Sequence, residues 1–145
     1  NAGRRDEAFQ MLADTSRRAG SDPTVHERLA EVYARFGRTQ DSLRETELVA
    51  RLDPSSPVAL AALGRQYMEM DQRDRAMATW RRILDSSRDR ARGALALGNV
   101  YFDNGMLAEA AEMFREAISR RPEDVEVRLR LEHRLAELTD LVLLV

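Results

Sequence analysis

No cysteine and no lysine occur among the 145 residues, and there are only two histidines, one tryptophan and four prolines. The missing cysteine excludes a disulfide framework, a thiolate metal site and a cysteine nucleophile. Without lysine, Schiff-base chemistry and the phosphate-loop lysine are closed as well. His26 and His133 each stand without a second histidine at metal-ligand spacing, and no nucleophile elbow, phosphate loop or dinucleotide fingerprint is present. A net charge of -2 removes the general attraction on which nucleic-acid binders and polybasic membrane anchors depend. No apolar run reaches the 18 or so residues of a membrane span, the closing 141–145 stretch included. The expectation is a chain without catalysis, metal or cofactor, with no nucleic-acid partner and no direct membrane insertion.

What is present is the material of a single folded domain, 43% hydrophobic and 33% charged residues. All twenty-three bases are arginine, a bias expected of a GC-rich bacterial genome. Asn1 and Ala2 read as the remnant of an expression tag, after which Gly3 opens abruptly into a charged helical pattern. The expectation is an excised fragment of a longer array, so cellular location is not read from it.

Self-similarity organises the rest. Tyr33, Tyr67 and Tyr101 fall 34 residues apart, and Leu29, Leu63 and Leu97 repeat the step. So do Ala30, Gly64 and Gly98, then Ala76 and Ala110, then Trp80 and Phe114. Apolar residues within each unit have helical spacing, and the pattern breaks at Gly37, Asp71 and Gly105, so each unit predicts a helix hairpin. Neither helix of a pair could hide its apolar stripe alone, which requires successive hairpins to stack. Asp22 before Pro23 and Ser56 before Pro57 are helix-start signals, and Asp124 occupies the same column. In the third unit Arg88 stands in the column shared by Pro54 and Pro122 and Arg90 in the cap column, which predicts a looser turn there or Asp89 capping one residue early.

Leu97, Gly98, Tyr101, Gly105, Ala110, Phe114, Ala117 and Pro122, with Leu63, Gly64, Tyr67, Ala76 and Trp80 one unit earlier, resemble the tetratricopeptide repeat. The first unit is the weakest match, with Ala30, Ser42 and Thr46 for the glycine, small and aromatic columns. The resemblance implies an all-α, right-handed superhelix of hairpins. Its expected division is 1–22 as tag remnant plus the second helix of a preceding repeat, then repeats at 23–56, 57–90 and 91–124, then a capping helix and apolar tail over 125–145. In the leading segment Gly3 takes the turn column, Ala8 the small column and Leu12 the aromatic one. At the other end Leu131, Leu135 and Leu138 are expected to face inward, with the 141–145 tail folded back on that helix or forming the stub of a further segment.

The family's geometry places the concave face on the first helix of each hairpin. The expected groove residues are Arg65, Met68, Glu69, Arg92, Leu95, Asn99, Phe102 and Asp103. Thr24, Glu27, Glu31 and Arg35 extend it on one side, Val58 and Ala61 belong to its middle, and Glu126, Leu129 and His133 extend it on the other. An apolar floor of Ala61, Met68, Leu95 and Phe102 beside Arg65, Arg92 and Asn99 suits a peptide with apolar anchors and an acidic group. The blander reading makes Met68 filler, turns Phe102 to packing, and pairs Arg65 and Arg92 with Glu69, Glu31 or Asp103 as solvated bridges. The carboxylate clamp of one subclass is not expected, since only Arg92 would occupy a suitable place.

The leading expectation is a protein-interaction scaffold for a peptide or helix of a partner protein. The alternative is a self-association element forming homo-oligomers, to which the charge difference between 57–90 (+2) and 91–124 (-2) would contribute. Helical-repeat RNA binding has a similar period but conflicts with the charge and the aromatic and small columns.

Overall fold

The computed structural model describes residues 2–143, for a few of them the backbone alone. Eight helices follow one another: α1 (Ala2–Ala19), α2 (Pro23–Arg35), α3 (Thr39–Leu52), α4 (Pro57–Glu69), α5 (Arg73–Asp85), α6 (Arg90–Asp103), α7 (Leu107–Arg120) and α8 (Val125–Leu143). No strand occurs among the described residues. Helices α2 and α3, α4 and α5, and α6 and α7 pack as hairpins, and each hairpin stacks on the next, so the fold is an all-α solenoid.

The three breaks read from the sequence are the three hairpin turns. Gly37, Asp71 and Gly105 have φ of 70°, 57° and 73°, the left-handed conformation that ends a helix. In each turn the following N–H, of Arg38, Gln72 or Met106, donates to the carbonyl of Tyr33, Tyr67 or Tyr101 at 2.8–2.9 Å. The left-handed residue's own N–H donates three residues back at 3.0 Å. The repeated tyrosine therefore closes the turn with its backbone while its ring lies buried in the stack.

Helix starts also follow the sequence. The Asp22 carboxylate accepts from the Thr24 N–H at 2.9 Å, and the Ser56 hydroxyl from that of Ala59 at 3.2 Å. Asp89 caps α6, accepting from the N–H groups of Ala91 (3.0 Å) and Arg92 (3.2 Å). The Arg92 N–H leads in holding the Asp89 carboxyl below its ordinary pKa, and the Arg121 guanidinium and Ala91 N–H act in the same direction.

The small columns hold the paired helices close. A β-carbon at Gly64 would lie 2.6 Å from Cε2 of the Trp80 indole, and one at Gly98 would lie 2.6 Å from Cδ1 and Cε1 of Phe114. Both rings are fully buried, and the Trp80 N–H donates to the Ala61 carbonyl at 3.2 Å. Trp80 also meets Tyr101 of the next hairpin edge to face, with centroids 6.1 Å apart. Burying such rings stabilises by roughly 1.5–3 kcal/mol each.

The first and last helices also pack onto the stack. In α1, Phe9 stacks on Tyr33 and meets Phe36 edge to face, with Arg38 over its ring at 4.7 Å. In α8, Leu131 and Leu138 are buried and Leu135 packs against the core, as their spacing predicts. Two expectations are corrected. Gly3 is not a turn residue, because α1 begins at Ala2 and takes it into the first helical turn. The apolar tail does not fold back as far as Leu143, because α8 continues through that residue, while Leu144 and Val145 lie outside the described residues.

Candidate functional site

An open cleft of ≈ 400 Å³ lies where α2, α3 and α4 meet. Its walls carry Glu27, Glu31 and Ala34 of α2 with Val58, Ala62, Arg65 and Glu69 of α4, and Ala30, Ser42, Thr46, Val49, Ala59 and Gln66 line it more deeply. The cleft sits at the hairpin that departs most from the repeat. Thr46 occupies the column of Trp80 and Phe114, so no ring fills the space over Ala30. Polar bonds organise that space instead. The Ser42 hydroxyl donates to the Ala30 carbonyl at 2.9 Å and accepts from the Gln66 amide at 2.8 Å, while the Gln66 amide oxygen is buried without a partner among the described residues.

Of the eight expected groove residues, Arg65 and Glu69 line this cleft, together with Glu27, Glu31 and Val58 from the wider set. Arg65, Glu69, Glu27 and Glu31 are exposed, and no ion pair joins them to one another or to any described residue. The expected bridges from Arg65 to Glu31 or Glu69 do not form. Arg92 pairs with Asp89 at 3.6 Å, its own helix cap, rather than with Glu31 or Asp103. Met68 and Leu95 are half-buried and pack against the core, and Ala61 does likewise, while its neighbour Ala62 lines the cleft. Phe102 is also half-buried against the core, with the Arg134 guanidinium over its ring at 4.7 Å. Asn99 is half-buried and Asp103 exposed. Leu129 and His133 on α8 are exposed, His133 lying 3.3 Å from Glu137. The side chain of Glu126 lies outside the described residues.

Three arginines of 57–90 pair with acids of other helices, Arg73 and Arg75 across hairpins and Arg90 within the α6–α7 hairpin. Arg73 reaches Glu109 at 4.0 Å, Arg75 reaches Glu47 at 3.4 Å, and Arg90 reaches Glu116 at 2.8 Å. Arg75 also donates to the Tyr67 hydroxyl, which itself donates to Glu47 at 2.6 Å. Burial and the Glu47 carboxylate push the Tyr67 hydroxyl up to about 12. These contacts tie α3, α4 and α5 together.

Sequence reasoning missed a buried polar cluster. His26 is 1% exposed, with Nδ1 2.7 Å from Glu45 Oε2 and Nε2 3.0 Å from the Gly20 carbonyl. The repeat columns held the signal, since His26 aligns with Leu60 and Ala94, both fully buried, and Glu45 aligns with buried Thr79. Among the described residues no group of acids and histidines is placed to hold a metal ion, and no helix is long and apolar enough to cross a membrane.

The repeating Gly-to-aromatic contact, the tyrosine-closed turn and the stacked hairpins form one pattern, and the tetratricopeptide repeat family model matches residues 1–57 and 61–129. The chain belongs to the tetratricopeptide repeat family. Solved tetratricopeptide structures have the same fold. A thermophilic tetratricopeptide repeat protein of Thermus thermophilus is 21% identical, with a TM-score of 0.55 over 93% of this chain and 75% of that one. A tetratricopeptide repeat protein from Parabacteroides merdae is 22% identical, with a TM-score of 0.51 over 93% of this chain and 53% of that one. MamA of Desulfovibrio magneticus, from residue 41 to its end, is 20% identical, with a TM-score of 0.50 over 95% and 83%. At these identities the likeness establishes the repeat fold alone. No curated protein matches the chain.

Proposed function

We propose that the chain is a non-catalytic protein-interaction scaffold that holds a peptide or helix of a partner protein along the face formed by α2, α4 and α6. The observation that carries the reading is the open cleft beside α2 and α4, with exposed charged side chains that no described residue neutralises. The Gly64–Trp80 and Gly98–Phe114 contacts fix the hairpins before a partner arrives, so little ordering cost falls on binding. Arg65, Glu69, Asn99 and Asp103 supply polar contacts on this reading, Met68, Leu95 and Phe102 the apolar edge, and Arg92 becomes available when its Asp89 pair opens. Capture of partners by the parent protein and by a Phe102→Glu, Asn99→Ala variant of unchanged helicity tests it. A partner retained by the first and lost by the second is the expected result, and equal retention would move the interface elsewhere.

One observation supports self-association as a second reading. Met11 and Phe36, 70% and 62% exposed, lie at the α1 end, where Phe36 also lines an open depression with Ala8, Phe9 and Leu12. A mass that rises with concentration and returns to the monomer value in a Met11→Glu, Phe36→Glu variant is the outcome this reading requires.

A further inference from the structure

We propose that the cleft between α2, α3 and α4 receives an extended segment of a partner protein carrying a bulky apolar residue beside an arginine or lysine. The inference rests on the groove reading above and gives that groove a sign of charge.

The hollow has a definite origin. In the second and third hairpins an aromatic ring fills the space over a glycine, Trp80 over Gly64 and Phe114 over Gly98. The matching residues of the first hairpin are Thr46 and Ala30, and both line the cleft. A threonine in place of a ring leaves volume unfilled, and Val49, Ala59 and Ala62 give the hollow an apolar lining. A bulky apolar side chain entering from a partner would occupy space that the other hairpins fill internally, with burial as the driving force.

The charge around this hollow is unbalanced. Glu27, Glu31 and Glu69 stand against a single base, Arg65, and none of the four has an ion-pair partner among the described residues. Carboxylates beside an apolar wall act in a lower effective dielectric than in water, which strengthens their attraction for a cation. An acidic segment would meet three like charges and one opposite, so electrostatic complementarity selects a basic neighbour for the apolar anchor. The acidic-group preference read from Arg65, Arg92 and Asn99 therefore does not extend to this end of the groove.

The test is selection of a phage-displayed library of random dodecapeptides on the whole 145-residue chain, followed by fluorescence anisotropy on the selected peptides. Binding is compared for the parent, a Glu27→Gln, Glu31→Gln, Glu69→Gln variant, an Ala62→Phe variant that fills the hollow, and Phe102→Glu, each with confirmed helicity and melting. The expected result is enrichment of arginine or lysine next to a bulky apolar residue. Affinity should fall about tenfold or more in the glutamine variant and with added salt, and should fall in Ala62→Phe. Peptides that are acidic and depend on Arg65 or Arg92 would overturn this inference and leave the groove reading standing. Absence of enrichment, or peptides insensitive to every variant, would overturn both.

Discussion

His26 of α2 bridges the Glu45 carboxylate of α3 and the Gly20 carbonyl after α1, at 2.7 and 3.0 Å. Both partners accept hydrogen bonds, so satisfying both requires two ring N–H groups, the imidazolium form. Burial alone would lower the His26 pKa. The Glu45 and Gly20 hydrogen bonds and the charges of Glu45 and Asp22 outweigh it, leaving the pKa above 6.5.

A pH dependence follows from that direction. A histidine whose folded pKa is raised stabilises fully below its unfolded pKa of about 6.5 and loses that contribution as pH rises through the folded value. Urea midpoints by circular dichroism from about pH 6 to about pH 9 should therefore fall for the parent. In a His26→Leu, Glu45→Met variant, which replaces both partners with apolar groups, this component of the slope should disappear. His26→Leu alone strands a buried carboxylate and should cost about 3 kcal/mol or more. An unchanged slope in the double variant would refute the ionic bridge.

The same glycine substitution should have opposite signs at two helical sites. Alanine at Gly64 would drive its β-carbon into the Trp80 indole, itself anchored to the Ala61 carbonyl, and should destabilise by about 1–3 kcal/mol. At Gly3, in α1, the β-carbon meets nothing within 4 Å, and alanine should stabilise by about 0.5–1 kcal/mol at most, through helix propensity. Thermal melts of the two single variants decide the matter.

Trp80 is the sole tryptophan and fully buried, so intrinsic fluorescence reports the middle of the stack. Its emission should be blue-shifted in the folded chain and move to the red with the loss of helicity in urea. Trp80→Phe, which keeps a ring over Gly64 but loses the bond to Ala61, should cost less than Trp80→Ala, for which about 3–5 kcal/mol is expected. Equal costs would show that the ring does not set the helix spacing.

Asp71 holds the left-handed conformation that glycine holds in the other two hairpin turns. Asp71→Gly removes the β-carbon penalty and should stabilise by about 0.5–1 kcal/mol after the entropy of glycine is counted. A lower melting temperature would mean that the carboxylate supports the turn.

The frame of this fold was legible because its devices recur. Turn residues at Gly37, Asp71 and Gly105, capping by Asp22 and Ser56 and close approach at Gly64 and Gly98 each follow from a column of the 34-residue step, and Asp89 caps one residue ahead of its column. Single departures from a column were harder to interpret. Thr46 reads as a weak match in the sequence and leaves a hollow in the structure, while His26 reads only as a histidine without a metal-spaced partner and is buried in an ionic bridge. Pattern identifies what neighbours share, whereas both of these depend on what one position lacks or adds relative to its column. Met68, Leu95 and Phe102 fall on the helices expected of them, but helical spacing alone does not reveal how far each side chain turns into the core.

The Trp80 ring pressed against Gly64 has a consequence for inheritance of specificity. Helix α4 carries Ala62, Arg65 and Glu69 on one side and rests on the Trp80 ring with the other. The width of that ring sets where α4 lies, and so where those three side chains stand relative to α2. If the cleft holds a partner as proposed, a substitution at Trp80 would therefore retune what it admits without altering any residue that lines it. The residues that divide two homologues of different partner choice are then to be sought behind the wall as well as on it.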